Sequence, residues 1–445
     1  MSGPGQPYDL GVLCGHFMPV RKGEDVAVER DVFVGVRDGI IVSVEPVSEM
    51  HRRDCSKTLI DARDKLVMPG LVNAHTHLPM TLFRGLGDDA SLHDWLHKTI
   101  FPLEAKVISA ETARLGTGLA LLESIRFGTT TLADMYFFEE CIAETLDAAG
   151  LRAFVSVGFL DFPTPDNKAC DDSGVRALQR LCERYAGHPR IRPAVAAHAP
   201  YTCSDATITK CLSLARSADI PFHIHVAETE WEVQNQMAEH GRSPVRRLHD
   251  LGATGESSLF AHCVHLSDED ISILADSGTA VVHNPESNMK LGSGIAPVVK
   301  LRNAGVRLAL GTDGAASNNN LNLFGEMDAA AKLQKLHAHD SSAMRASDAI
   351  YMATMGGAEA IGLGGVTGSL EIGKAADLIV VGLDHPHMQP LHSMASQIVY
   401  AATGHEVETV VCGGEILFHE GLYRTLDRKG ILDEIRLWMK GMGGA

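Results

Sequence analysis

Three short stretches carry residue types that can do metal chemistry. The first is His75-Thr76-His77, directly after an apolar run that begins at Leu71. On a strand, residues i and i+2 share a face and lie about 7 Å apart along it, so two imidazoles can converge on one ion. The second is His223-Ile224-His225, with Glu228 just beyond. His225 lies nearer the C-terminal end of its run and is the expected ligand. His223 is expected to fill space beneath it, and Glu228 is free to enter a cavity. The third is Gly311-Thr312-Asp313-Gly314, which ends a further apolar run on a carboxylate. Three imidazoles, one aspartate and a water suit a catalytic zinc ion, which can expand to five ligands.

The elements that must position these residues follow from a recurring pattern. Eight β-like runs occupy 71–78, 129–135, 152–159, 190–198, 221–228, 259–265, 280–284 and 307–314. Helix-like segments separate most of them, among them 111–128, 204–218 and 268–278. Strands alternating with helices predict an α/β fold, a (β/α)8 barrel of the TIM type. The runs end on His75 and His77, Asp134, His198, His225 and Glu228, His262, His283 and Asp313. In such a barrel all of these reach the C-terminal face, where barrel enzymes build their sites. A single histidine at a strand end is an ordinary structural residue; polar groups at the ends of most strands form a constellation. An open doubly wound sheet is the competing fold, but no GxGxxG follows the first run.

Residues 1–66 and 369–445 read differently, as short alternating runs broken by glycine turns, and predict small antiparallel sheets. The two segments are expected to pair into one β-sandwich domain built from both chain ends, with 67–368 forming the barrel. Composition is that of a globular chain: 45% hydrophobic and 21% charged over 445 residues. Lys+Arg 39 against Asp+Glu 56 gives a net charge of −17, which disfavours nucleic acid and anionic membranes as partners. Nine cysteines without a CxxC pair argue against a disulfide framework or a thiolate zinc site and fit a reducing, cytoplasmic setting. Cys203 and Cys263 near the proposed site read as packing thiols. Asp134 reads as a cap for the next helix, and His283 as a residue that fixes a turn.

Longer stretches around these residues carry a resemblance. They are MPGLVNAHTHLPMTLFRGL (68–86), DWLHKTIFPLEAK (94–106), AHAPYTCS (197–204), HIHVAETEWEV (223–233), AHCVHL (261–266), HNPESNMKLGSGIAPV (283–298) and GTDGAASNNNLNLFGEMD (311–328). They resemble the amidohydrolase superfamily, and within it the methylthioadenosine/S-adenosylhomocysteine deaminases. The resemblance implies one divalent metal per chain, zinc being expected, held by His75, His77, His225 and Asp313. It implies that Glu228 shuttles a proton, that His262 meets the hydrolytic water or the departing amine, and that His198 meets the purine or ribose. Trp95 and Glu104 match positions lining the nucleoside pocket, with Glu104 on the ribose hydroxyls, and Ser317 matches a position beside the substrate. The fourth run ends in PAVAAHAP, with no lysine or acid to bridge a second metal.

The implied reaction is hydrolytic deamination of an adenine nucleoside, releasing ammonia and the inosine analogue. Asp313 takes the water's proton, Glu228 protonates the ring and His262 orients the attacking oxygen. Residues 153–175 contain no arginine and four acids, where arginines would be expected to grip the carboxylate of S-adenosylhomocysteine. The reading is therefore a preference for 5′-methylthioadenosine, with Phe159, Leu160 and Phe162 offering apolar surface. Two alternatives stay open: a related hydrolase acting on guanine, a pterin or a chlorotriazine, and a non-catalytic scaffold. A homo-oligomer is the expected assembly.

Overall fold

The computed structural model describes residues 8–49, 51, 55–169 and 171–442. Alternating apolar and polar residues near the N-terminus form β1 (Tyr8–Phe17), β2 (Glu29–Arg37), β3 (Ile40–Pro46) and β4 (Ser56–Pro69). The eight strands expected in the middle follow as β5 (Leu71–Thr76), β6 (Thr129–Tyr136), β7 (Arg152–Phe159), β8 (Ile191–Ala197), β9 (Phe222–Val226), β10 (Ser258–His262), β11 (Ala280–His283) and β12 (Arg307–Leu310). Near the C-terminus come β13 (Leu378–Val381), β14 (Val407–Cys412), β15 (Glu415–His419) and β16 (Leu422–Tyr423).

Both chain ends build one eight-stranded sheet, in the order β16-β15-β14-β13-β4-β1-β2-β3. It is mixed rather than purely antiparallel, because β1 pairs with β4 in parallel. The β2–β3 hairpin occupies one edge of β1, and the chain then crosses to the other edge. The sheet curls: Ile40 bridges Ala375, and the Ala376 amide donates to the Gly39 carbonyl at 2.8 Å. Its apolar core, with Val12, Val34, Ile41 and Val380, is distinct from that of the barrel.

β5 to β12 form the second sheet, parallel throughout, in sequence order. These strands are buried along nearly their whole length, as strands covered on both faces must be. The intervening helices begin at serine caps: Ser109, Ser204 and Ser267 each accept a backbone N–H. The seam between β5 and β12 is closed by side chains and one backbone bond. Asn73 Nδ2 donates to Thr312 Oγ1 at 2.7 Å, the Thr312 amide donates to Asn73 Oδ1 at 3.0 Å, and the Asp313 amide donates to the His75 carbonyl at 3.0 Å. Gly311 is required here, since a Cβ would lie 2.8 Å from the His75 carbonyl oxygen. The seam thus sets the last strand's carboxylate against the first strand's histidines.

Alternation sends every second residue to the barrel axis. On β7 these are Phe154, Ser156 and Gly158. Phe154 packs 6.1 Å from the His223 ring, Ser156 bonds His223, and Gly158 lines the pocket above. Among the described residues no helix is long and apolar enough to cross a membrane, and the eight described cysteines are free. Cys170 lies outside the described residues.

The two sheets are joined at the far end of the barrel by a buried ion pair. Arg152, opening β7, donates Nε to Asp377 Oδ2 at 2.9 Å and Nη2 to Asp377 Oδ1 at 3.3 Å. Asp377 is 1% exposed and also accepts the Gly413 amide at 2.6 Å. Arg152→Ala strands that carboxylate in the interior, so unfolding free energy should fall by about 3–5 kcal/mol. Denaturant titration reads this directly, and metal content per folded chain should hold because the pair lies away from the strand ends that carry the site.

Candidate metal centre and active site

Four donor atoms converge at the C-terminal end of the barrel. His75 and His77 leave β5, His225 leaves β9, and Asp313 follows β12. Their ligand atoms all lie within 4.8 Å of one another, and all four residues are buried. His75 Nε2 is 3.5 Å and His77 Nε2 is 3.1 Å from Asp313 Oδ1, and His77 Nε2 is 3.3 Å from His225 Nε2. Ligands about 2.1 Å from a tetrahedral ion are about 3.4 Å apart, which these separations match.

The hydrogen bonds on the far side of each ring decide which nitrogen faces the centre. His77 Nδ1–H donates to the Met135 carbonyl, and His225 Nδ1–H donates to the His198 carbonyl at 2.7 Å. A carbonyl only accepts, so both rings carry a proton on Nδ1 and turn Nε2 inward as the atom that would meet an ion. His75 Nδ1 is 3.0 Å from His223 Nε2, and His223 Nδ1 is 3.3 Å from Ser156 Oγ. Donation along that relay leaves His75 Nε2 bare, and among the described residues this buried atom has no hydrogen-bond partner. Inward nitrogens and a carboxylate facing one another require positive charge among them, supplied by a proton on His77 or by a shared cation. The donor set therefore fits a divalent ion.

Electrostatics point the same way. Burial holds His75 down at about 4 and lowers His225 well below the usual histidine range. Burial also acts to lower His77, but the Asp313 carboxylate and the Met135 carbonyl outweigh it and raise His77 to about 9. Burial acts to raise Asp313, yet His75 and His77 take it well below the usual carboxylate range. Asp313 Oδ2 is engaged by Ser287 Oγ at 2.7 Å and Ser317 Oγ at 2.8 Å.

Glu228 and His262 reach the site against the strand alternation. His223 and His225 face the axis, so Glu228 would point away; Ala227, with φ of 50°, swings it in. Leu259 and Ala261 share one face of β10, and His262 turns inward through its own φ of 72°. Glu232 fixes the first turn by accepting the Ala227 and Glu228 amides, each at 2.9 Å. Asn288 Oδ1, 2.9 Å away, accepts from His262 Nδ1 and aims Nε2 at Glu228 Oε2, 3.7 Å off. Burial raises the Glu228 carboxyl.

Above these groups lies a pocket of about 680 Å3, lined by Trp95, Phe101, Glu104, Tyr136, His198 and Tyr201, among others, with no lysine or arginine. Glu104 accepts the Tyr136 hydroxyl at 2.7 Å, and burial raises its carboxyl to about 7. His198 is held neutral, its pKa lowered to about 3 by burial. Of the site residues expected from the sequence, His75 and Ser317 do not line the pocket: His75 faces the other donors below it, and the short helix Ala315–Asn318 turns the Ser317 hydroxyl beneath Asp313. Asp134 does not cap the following helix. Its Oδ1 accepts the Leu78 amide and so ties down the backbone just after His77. His283 is a neutral core residue, held down at about 3 by burial. Cys203 donates its thiol to the Phe159 carbonyl, and Cys263 is buried, with its thiol raised well above the usual range. Ser287, Asn288 and Tyr136 carry no sequence signal, because they act by holding other residues.

Comparisons with known proteins agree with this geometry. The amidohydrolase family model matches residues 66–417. A 5-methylthioadenosine/S-adenosylhomocysteine deaminase of Syntrophobacter fumaroxidans is 45% identical over 403 residues, 91% of this chain and 92% of that protein. A 5′-deoxyadenosine deaminase of Methanothermobacter thermautotrophicus is 41% identical, covering 90% of this chain and 93% of its own. A crystal structure of an adenosine deaminase from Xanthomonas campestris with bound zinc matches with a TM-score of 0.95 at 39% identity, over 98% of this chain and 99% of that one.

Calorimetric titration of chelator-treated protein with Zn2+ at pH 7.5 should give one site per chain. Loading should release about one proton, because His77 alone of the four donors holds a proton there that the ion must displace. Measurements in buffers of different ionisation enthalpy read that proton. His225→Ala should abolish tight binding; two tight sites per chain would overturn the single-ion centre.

Proposed function

The chain belongs to the amidohydrolase family, and from that premise we propose that it hydrolytically deaminates adenine nucleosides, preferring 5′-methylthioadenosine. The observation that carries this reading is the placement of Glu228 and His262 beside the four convergent donors, at the base of a largely apolar pocket that also holds Glu104. The deaminase relatives support it. His75, His77, His225 and Asp313 would hold the ion. We take it to be zinc, which suits imidazole and carboxylate donors and is bound in the related structure. Such an ion lowers the pKa of a bound water toward about 7.

The chain's own residues then do the rest. Asp313, held by the Ser287 and Ser317 hydroxyls, accepts the water's proton. His262, fixed by Asn288, orients the attacking oxygen. Glu228, whose carboxyl keeps its proton to higher pH because it is buried, delivers that proton to the ring nitrogen beside the attacked carbon. The carbon–oxygen bond forms, the carbon–nitrogen bond breaks, ammonia leaves with the proton taken from water, and the added hydroxyl returns its proton to Glu228 as the carbonyl forms. Trp95 and Phe101 offer faces to the purine, Glu104 with Tyr136 takes the ribose hydroxyls, and neutral His198 contacts the nucleoside without placing charge there.

The preference for the methylthio substrate rests on charge. Arg84 is committed to Glu123 and the Asn319 carbonyl, and Arg176 lies against Asp171 at 3.2 Å. Leu160 lines the pocket, and Phe162 stands against Phe101 at 5.2 Å. Glu104 favours a ribose-bearing substrate over a bare ring. The free thiols support a cytoplasmic location.

Glu228→Gln should keep its metal and lose turnover by about 10²–10⁴-fold, since an amide hydrogen-bonds but passes no proton. Ammonia release with metal analysis reads both, and a variant with near wild-type rate removes Glu228 from the mechanism. Steady-state comparison of 5′-methylthioadenosine with S-adenosylhomocysteine should give the higher kcat/KM for the former. Equal values would end the preference but leave the deaminase, whereas no ammonia from any adenine nucleoside would end the deaminase reading.

A further inference from the structure

Two buried carboxyl groups stand behind His77, and the proposed chemistry uses neither. Asp134 lies near the end of β6, and Glu139 opens the helix Glu139–Ala148 just beyond that strand. They are 0% and 3% exposed. One oxygen of each is taken by a backbone amide. Asp134 Oδ1 accepts the Leu78 N–H at 2.6 Å, and Glu139 Oε1 accepts the Tyr136 N–H at 2.8 Å. The other oxygens, Asp134 Oδ2 and Glu139 Oε2, are buried, and among the described residues no N–H or O–H of another group reaches them. A hydrogen bond links the two carboxyls to each other. Two carboxylate oxygens cannot bond without a hydrogen between them, so one of the acids carries a proton. Burial raises both, and the Asp134 charge adds to the rise at Glu139, which places the proton there.

The two amides they hold are both tied to His77. A peptide unit is planar, and in the trans form its C=O and N–H point in opposite directions. The peptide whose N–H is held by Glu139 is the one whose carbonyl, that of Met135, accepts His77 Nδ1–H. The peptide whose N–H is held by Asp134 carries the carbonyl of His77 itself. The pair therefore fixes His77 twice, at the ring through the 135–136 peptide and at the backbone through the 77–78 peptide. The bond between the carboxyls locks one grip to the other. Phe138, with φ of 61°, makes the turn between Tyr136 and the helix that begins at Glu139. The nearby Asp166 is already engaged, accepting the Thr164 hydroxyl at 2.7 Å and the Phe138 amide at 3.2 Å.

We propose that Asp134 and Glu139 hold one proton between them, and that Glu139 is a positioning residue for the inward nitrogen of His77. This role rests on the reading of His75, His77, His225 and Asp313 as the donors to one ion. With the proton in place, each acid grips its amide and its partner acid at once. Without it, two buried negative charges repel, and the peptide that orients the His77 ring loses its anchor.

The test is a set of substitutions read by Zn2+ affinity of folded, chelator-treated protein, in competition with a chromophoric chelator, and by denaturant unfolding of the metal-free chain. In Glu139→Gln the amide oxygen still accepts the Tyr136 N–H and the NH2 group replaces the shared proton, so the Zn2+ Kd should stay within about threefold of wild type. Asp134→Asn can likewise accept from Leu78 and donate to Glu139, with a loss of about tenfold or less. The double variant sets two NH2 groups against each other. Its Kd and its unfolding constant should each be worse by about tenfold or more than the product of the single effects. Glu139→Met fills the space but neither accepts nor donates, and should weaken Zn2+ binding about 10–100-fold. Additive effects in the double variant, with Glu139→Gln more stable than wild type, mean two ionised carboxylates and overturn the shared proton. A Glu139→Met chain that is less stable but binds Zn2+ as wild type does, or equal losses of affinity in Glu139→Gln and Glu139→Met, overturns the positioning role. If Glu139→Met does not fold, Glu139→Asp, one methylene too short to reach both partners, is read in its place. A double variant that alone fails to fold is the expected non-additivity at its limit. Wild-type protein that binds no Zn2+ ends the metal-centre reading and the positioning role with it, while the unfolding measurements still decide the shared proton.

Discussion

Everything at the barrel mouth depends on one electrostatic constraint. Two imidazole nitrogens with outward lone pairs stand 3.3 Å apart, and an ionised carboxylate lies 3.1 Å from one of them, in a buried site. Such atoms repel unless positive charge sits among them. The protein prevents the rings from flipping away by committing each opposite nitrogen. Backbone carbonyls hold His77 and His225, and the His223–Ser156 relay holds His75. Two serines hold Asp313 from behind. These outer partners fix tautomer and direction, which is how a metal site is made rigid before the ion arrives.

The same constraint explains features of the scaffold that chain connectivity alone does not require. The first and last barrel strands must meet closely enough for Asp313 to face His75 and His77, and that is where Gly311 and the Asn73–Thr312 pair are found. Left-handed backbone at Ala227, His262 and Asp313 costs on the order of 1–3 kcal/mol at each non-glycine position. Buried side chains that bond the turns hold these conformations in place, Glu232 most directly. Strain of this kind is thus placed at the strand ends beside the four donors, as well as at turns elsewhere in the chain.

The charge distribution completes the logic. The chain is strongly acidic, yet the pocket lining has no lysine or arginine, and burial holds His198 and His225 neutral. An uncharged nucleoside enters such a pocket without losing ion pairs to water. Glu104 and Glu228 are both raised by burial, so these two pocket carboxyls can offer a proton as well as accept one.

The sequence by itself determined the strand count, the order of the barrel elements and the four side chains that converge at the barrel mouth. Those features are local: a run of apolar residues makes a buried strand wherever it falls, and a two-residue spacing places both histidines of HxH on one face in any strand. It also determined that both chain ends would join one β unit. Only the tertiary structure decided the parallel pairing of β1 with β4, since alternation fixes which face is buried but not which edge is used. It alone turned Glu228 and His262 inward, because the period of a strand predicts the opposite and a single left-handed residue reverses it. It moved Ser317 beneath Asp313 and gave Asp134 to the Leu78 amide, as partners far apart in the chain cannot be read from spacing.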